Sequence, residues 1–172
     1  LVQAPIVTMR VAKVKGQRVE DLLRTRTYQP DPAEKAKESK EGDGKEKARK
    51  EEREERIEGW TLRREYRSTF RGKLEGSEKI VQGKFVPRAD AGSAVVPISI
   101  EESLARDMAV KLGDEIEWDV QGVPIRTKVS SVRAVEWRRL EPNFFVLFPE
   151  GVLEGAPKFH VAAVRAPTTE QS

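Results

Sequence analysis

The sequence predicts an α+β fold that is rich in strands and carries one charged insertion. Three observations support this. Apolar and polar residues alternate in segments spread along the whole chain. One compact amphipathic helix signal follows residue 98. Residues 31–58 are built almost entirely from Lys, Arg, Glu, Ala and Gly, and Ile57 is their only large aliphatic residue.

Residues 5–15 alternate, with Val7, Met9 and Val11 on one face and Thr8, Arg10 and Ala12 on the other, as a half-buried strand does. Gly16 ends it, and Val19, Leu22 and Leu23 predict a turn or two of helix. The charged stretch 31–58 offers too little apolar surface to offset its ordering entropy. It reads as an inserted excursion, solvated-helical or disordered, broken at Gly42-Asp43-Gly44. Trp60, Leu62, Tyr66 and Phe70 then fall on one phase of a strand or a kinked pair of strands. Ile80, Val81, Phe85 and Val86 surround Gly83.

Ser99 followed three residues later by Glu102 reads as a capping box. Ile100, Leu104, Met108 and Leu112 continue as one apolar stripe, and Gly113 stands where a left-handed C-terminal cap belongs. Ile116, Trp118 and Val120 alternate with Glu115, Glu117 and Asp119, Gln121-Gly122 turns, and Ile125, Thr127 and Val129 resume. The apolar phase slips at Ser130-Ser131, which predicts a bulge. Residues 143–148 are apolar on both faces and predict a central strand, and residues 159–165 a last one.

Chemistry is bounded by what is missing. The chain has 172 residues, no cysteine and one histidine, so disulfides, thiolate metal sites and multi-histidine sites are excluded. His160 reads as an edge-strand or solvent-facing residue. Glu101 and Glu102 are explained by helix capping, and Glu115, Glu117 and Asp119 by the wet face of a strand, which leaves no assigned catalytic pair. There is no P-loop, GxSxG or GxGxxG. The 32 basic and 29 acidic residues are interleaved, so the net charge of +3 makes a weak field. No window reaches the ~20 apolar residues that span a bilayer. The chain begins at Leu1 with no signal-peptide core, as a piece cut from the middle of a longer protein or a processed one would. Trp60, Trp118 and Trp137 are expected as core anchors. The basic doublets Arg63-Arg64 and Arg138-Arg139, with Arg133 near the second, are expected on the surface.

Several stretches in order resemble the FtsX/MacB-type ABC transporter permeases, in the YbbP-like branch associated with lysophospholipase-type hydrolases. They are residues 5–16, 64–70, 80–85, 98–105, 112–114, 128–133 and 142–151. The chain looks like the second large extracytoplasmic (periplasmic) domain of such a permease, and the insertion 31–58 departs from the pattern. The resemblance implies a MacB-periplasmic-like fold of two parts. One is a small α+β subdomain of about residues 5–30 and 60–96, with strand 159–165 as a further candidate member. The other is a strand-rich subdomain of about 97–158.

It also implies a mechanical role, in which ATP-driven motion reaches a substrate, lipid or hydrophobic compound, or a periplasmic partner. No cofactor is expected in this domain, and ATP belongs to a separate cytoplasmic ATPase. The implied neighbours are the transmembrane part of the permease and a periplasmic SGNH-type hydrolase or lysophospholipase, at the outer side of the bacterial inner membrane. Arg64, Tyr66, Arg67, Trp137, Arg138 and Arg139 are the interface candidates. The competing readings are a nucleic-acid-binding accessory domain, suggested by the basic pI, and a carboxylate-based hydrolase fragment.

Overall fold

Strand β1 (Val2–Val14) is the longest run of alternation in the first part of the chain, and its inward residues Val7, Met9, Val11 and Val14 are all buried. The computed structural model describes residues 2–25, 56–138 and 142–163. Residues 31–55 of the charged insertion, and Arg139, lie outside them. Of the insertion's described end, Ile57 packs against the core.

Lys15 and Gly16 both have positive φ, so a two-residue turn joins β1 to the short β2 (Gln17–Arg18). Helix α1 (Val19–Thr25) follows as the apolar spacing predicts. Helix α2 (Gly59–Arg63) corrects the expectation of a strand through Trp60 and Leu62. There the Glu58 carbonyl accepts hydrogen bonds from both the Thr61 amide and the Thr61 hydroxyl, which closes one helical turn before the strand begins. The strands after it are β3 (Glu65–Phe70), β4 (Glu78–Gly83) and β5 (Val96–Glu101). Helix α3 (Glu102–Asp107) leads to β6 (Glu115–Val120), β7 (Val123–Val135), β8 (Val146–Phe148) and β9 (Phe159–Ala163).

The strand pairing closes on itself. β1 pairs antiparallel with β3, β3 parallel with β8, and β8 antiparallel with β5. β5 then pairs parallel with β7, β7 antiparallel with β6, and β6 antiparallel with β1. The circuit is a six-stranded barrel of mixed direction. The far half of β7 carries β4, and the first half of β1 carries β9. The fold is therefore α+β with few, short helices. Residues expected in the two subdomains share this sheet, since β1 joins β6, β3 joins β8 and β4 joins β7.

The interior is filled by Met9, Tyr66, Ile98, Ile100, Ile116, Trp118, Val146 and Phe148. Trp118 is fully buried and meets Tyr66 edge-on, with ring centroids 5.3 Å apart at 80°. Its indole N–H donates to Thr127 Oγ1 at 3.0 Å, and Thr127 in turn donates to the Ile116 carbonyl at 2.7 Å. The expected bulge is present: Ile98 pairs with Val129 but Ser99 with Ser131, so Ser130 is the extra residue. The turn at Gln121-Gly122 has positive φ at both residues and makes the β6–β7 hairpin.

The helix after residue 98 is capped differently from the sequence expectation. Ser99 lies within β5, and its hydroxyl is buried. The cap is Glu101, whose carboxylate accepts from the Leu104 amide at 2.9 Å. Pairing of β5 with β7 through Glu101 holds Ser99 and Ile100 extended, so the helix starts two residues later than the box implies. It also ends earlier, and Leu112 is exposed. The Ala109 amide donates to the Arg106 carbonyl and the Val110 amide to the Ala105 carbonyl, a Schellman closure with Ala109 at φ +52°. Gly113 is also left-handed, but it serves the following turn. Ala109→Gly is therefore expected to stabilise the protein by about 0.5–1 kcal/mol, since an alanine in the left-handed region carries a steric cost that glycine avoids. Urea denaturation reads this directly, and a lower midpoint would refute it.

A second buried layer lies outside the barrel, and it is ionic. Arg133 on β7 is completely buried, which corrects its expected place beside the surface doublet. Its guanidinium donates to Glu78 Oε1 at 2.9 Å and to the Phe144 carbonyl at 2.7 Å. Arg71 donates to the same Glu78 oxygen at 2.5 Å, and the Glu75 amide to the other at 3.0 Å. Burial pushes the Arg133 pKa down to about 10, with Glu78 opposing, so the group remains a cation at neutral pH. This network ties the 71–78 segment and the 142–145 segment to the barrel wall.

Candidate functional site

The segments held by that network carry the most unusual surface of the described chain. Phe145 follows the Phe144 carbonyl gripped by Arg133. The Trp137 ring packs on Phe145 at 4.9 Å and 50°, and the Trp60 ring at 6.4 Å and 56°. The Arg64 guanidinium sits 4.8 Å from the Phe145 centroid and 5.9 Å from those of Trp60 and Tyr66. Trp60 is 40 % exposed and Trp137 47 %. The result is a shelf of three aromatic rings with one cation laid across it.

Of the interface candidates, Arg64 and Trp137 are brought together here. Arg138 is exposed next to Trp137, and Arg67 is exposed on β3. Tyr66 is not a surface residue. It is 1 % exposed, its hydroxyl donates to the Thr61 carbonyl at 2.8 Å, and burial raises its pKa. Trp60 and Trp137 are correspondingly exposed, against the expectation of core anchors, while Trp118 is buried as expected. In the sequence Phe145 reads as part of a uniform apolar strand. No local signal separates its half-buried ring from the buried rings beside it.

The acidic residues do not converge on one point. Glu115 accepts from Arg126 at 2.8 Å, Glu117 from Lys13 at 3.1 Å, and Asp119 from the Gly122 amide at 2.7 Å. The Arg126 hydrogen bond holds the Glu115 carboxyl below its ordinary range. Among the described residues no group of three or more His, Cys, Asp or Glu side chains is placed to hold a metal ion. An open groove of about 450 Å³ lies beside the β6–β7 hairpin, lined in part by Ala91, Ala94, Val123, Ile125 and Val152. His160 is exposed on β9 and paired with Pro5 of β1. That pairing also sets Val2 opposite Ala163, so the first and last described strands leave the barrel side by side.

Fold and surface together describe a barrel domain that presents an aromatic–arginine shelf at one place and both of its outermost strands at another. Over 104 residues, 60 % of the chain, it is 36 % identical to the protein described as the uncharacterized ABC transporter permease YbbP of Escherichia coli (strain K12). The chain spans 12 % of that permease's length. No family model matches the chain, and no solved structure matches it. The match supports the ABC permease resemblance read from the residues. No helix among the described residues is long and apolar enough to cross a membrane.

Proposed function

We propose that this chain is an extracytoplasmic domain of an ABC transporter permease of the FtsX/MacB type, the second large one in the permease, which passes ATP-driven motion outward. The observation that carries the reading is the 36 % identity to a permease along 60 % of the chain. The pairing of β1 with β9 adds geometric support. An inserted domain driven by membrane helices needs its two connections close together, and Val2 and Ala163 are register partners. A stiff barrel between those strands and a distant surface suits transmission of movement, because close-packed interiors pass displacement on with little compression.

On this reading ATP is bound and hydrolysed by a separate cytoplasmic subunit, the cargo is a lipid or other hydrophobic compound, and a periplasmic hydrolase of the SGNH or lysophospholipase type is a partner. The test is topological. A cysteine introduced at exposed Ser93 in the full-length protein should react with a membrane-impermeant maleimide in intact cells. Labelling seen only after lysis sinks the assignment. Flanking apolar spans of ~20 residues in the full-length sequence are a second requirement.

A further inference from the structure

The shelf has a chemistry that the permease reading leaves unassigned. We propose that Trp60, Arg64, Phe145 and Trp137 form a docking surface for a partner protein, which engages through an acidic segment bearing an apolar anchor. Three observations converge on that occupant.

Aromatic rings and arginine are the residue types that dominate binding energy at protein interfaces. Here Trp60 and Trp137 remain 40 % and 47 % exposed although each packs on Phe145. The rings meet at 50° and 56°, so they offer a stepped apolar contact for an incoming side chain.

The charge around the shelf leans basic, with exposed Arg63, Arg64, Arg67 and Arg138 against exposed Glu58, Glu65 and Glu136. Arg64 lies across the rings, with one face of its guanidinium shielded from water by Phe145. A carboxylate meeting its N–H edge there forms a charge-assisted hydrogen bond with less water to displace than at an open surface. Exposed Arg63 and Arg67 lie near it in sequence, and exposed Arg138 follows Trp137. Glu65, the acidic neighbour on β3, is already turned toward Arg10 at 3.8 Å. The field therefore favours an acidic partner.

Position disfavours a bilayer as the occupant. By the β1–β3 and β3–β8 registers, Phe145 continues level with Thr8, and Arg64 lies just beyond the rung at Arg10. Phe145 is thus six residues along β1 from Val2, about 20 Å at the usual strand rise. If the β1 and β9 ends lead to the membrane, the shelf stands that far along the barrel wall from it. This distance argument rests on the permease reading, while the chemistry of the shelf does not. A nucleic acid suits the surface less well, because exposed Glu58, Glu65 and Glu136 interrupt the basic residues.

The experiment reads the chain's three tryptophan indole N–H resonances, of which Trp118, buried in the barrel, serves as the internal control. The full chain is titrated with a short peptide of glutamates around one phenylalanine, with the same peptide carrying glutamine for glutamate, with phosphatidylglycerol vesicles, and with a short DNA duplex. The glutamate peptide is expected to shift the Trp60 and Trp137 signals, leave Trp118 in place, and bind at least about tenfold more tightly than the glutamine peptide. Arg64→Gln should weaken that binding by about tenfold or more with the Trp118 signal unmoved, which separates lost docking from lost folding. Equal binding of the two peptides, no shift with either, or a larger shift with vesicles or duplex overturns the proposal. None of these results bears on the maleimide topology, so failure here leaves the permease reading standing.

Discussion

Glu78→Ala should lower the free energy of unfolding by about 3–5 kcal/mol, because it strands the buried Arg133 cation. Arg133 is wholly buried and Arg71 partly so; both donate to the same Glu78 oxygen, and Arg71 also pairs with Glu75 at 3.6 Å. Removing the carboxylate leaves Arg133 with the Phe144 carbonyl as its remaining described acceptor. A loss of that size is a large share of the ~5–15 kcal/mol that holds a typical domain together. Chemical denaturation followed by circular dichroism measures it.

The cause is checked with a double variant. Glu78→Ala together with Arg133→Met removes both charges and should recover a substantial part of the loss, since desolvated charges are then absent from both sides. Simple additivity of the two single changes would show that volume, and not the ion pair, sets the cost. The same network grips the Phe144 carbonyl, so Glu78→Ala should also disturb the Trp137 and Phe145 stacking. That disturbance is visible as a change in the Trp137 indole resonance.

Trp118→Ala should cost about 3–5 kcal/mol, the range for emptying a large aromatic site in a packed core. The indole is fully buried in the barrel interior and carries the edge contact to Tyr66. Trp118→Phe keeps most of that contact and loses the N–H donor. Thr127 still satisfies the Ile116 carbonyl, so the smaller variant should lose only about 1–2 kcal/mol. If alanine and phenylalanine cost the same, packing around Trp118 is not what stabilises the barrel. Near-ultraviolet circular dichroism and denaturant midpoints separate the outcomes.

Both predictions fall on residues whose importance differs in how far it can be read from the chain. Trp118 stands on an alternating run, and alternation already places it on the inward face of β6. Glu78 and Arg133 sit 55 positions apart, and nothing local to either announces the other. The same contrast runs through the fold. The two-residue turn at Gln121-Gly122, the bulge at Ser130, the short helix from Val19 and the edge position of His160 all depend on a few neighbouring residues, and each was legible. Ser99 and Glu102 have the spacing of a capping box, but β5 claims Ser99 for the sheet and Glu101 caps the helix instead. Of the shelf residues, Arg64 is the one expected at the surface by type throughout, whereas Trp60 and Trp137 read as core anchors and Phe145 as part of a uniform strand, and contact alone brings them together.

By itself, then, the sequence determined the α+β class, the strand phases, the turns and the absence of cysteine chemistry, since backbone preference and period-two burial are local properties. The tertiary structure alone decided that the strands close into a barrel, that Tyr66 is interior while Trp60 and Trp137 face outward, and that Arg133 is buried. The physical reason is that alternation reports which side of a strand is apolar, but only the pairing of distant strands decides what covers that side.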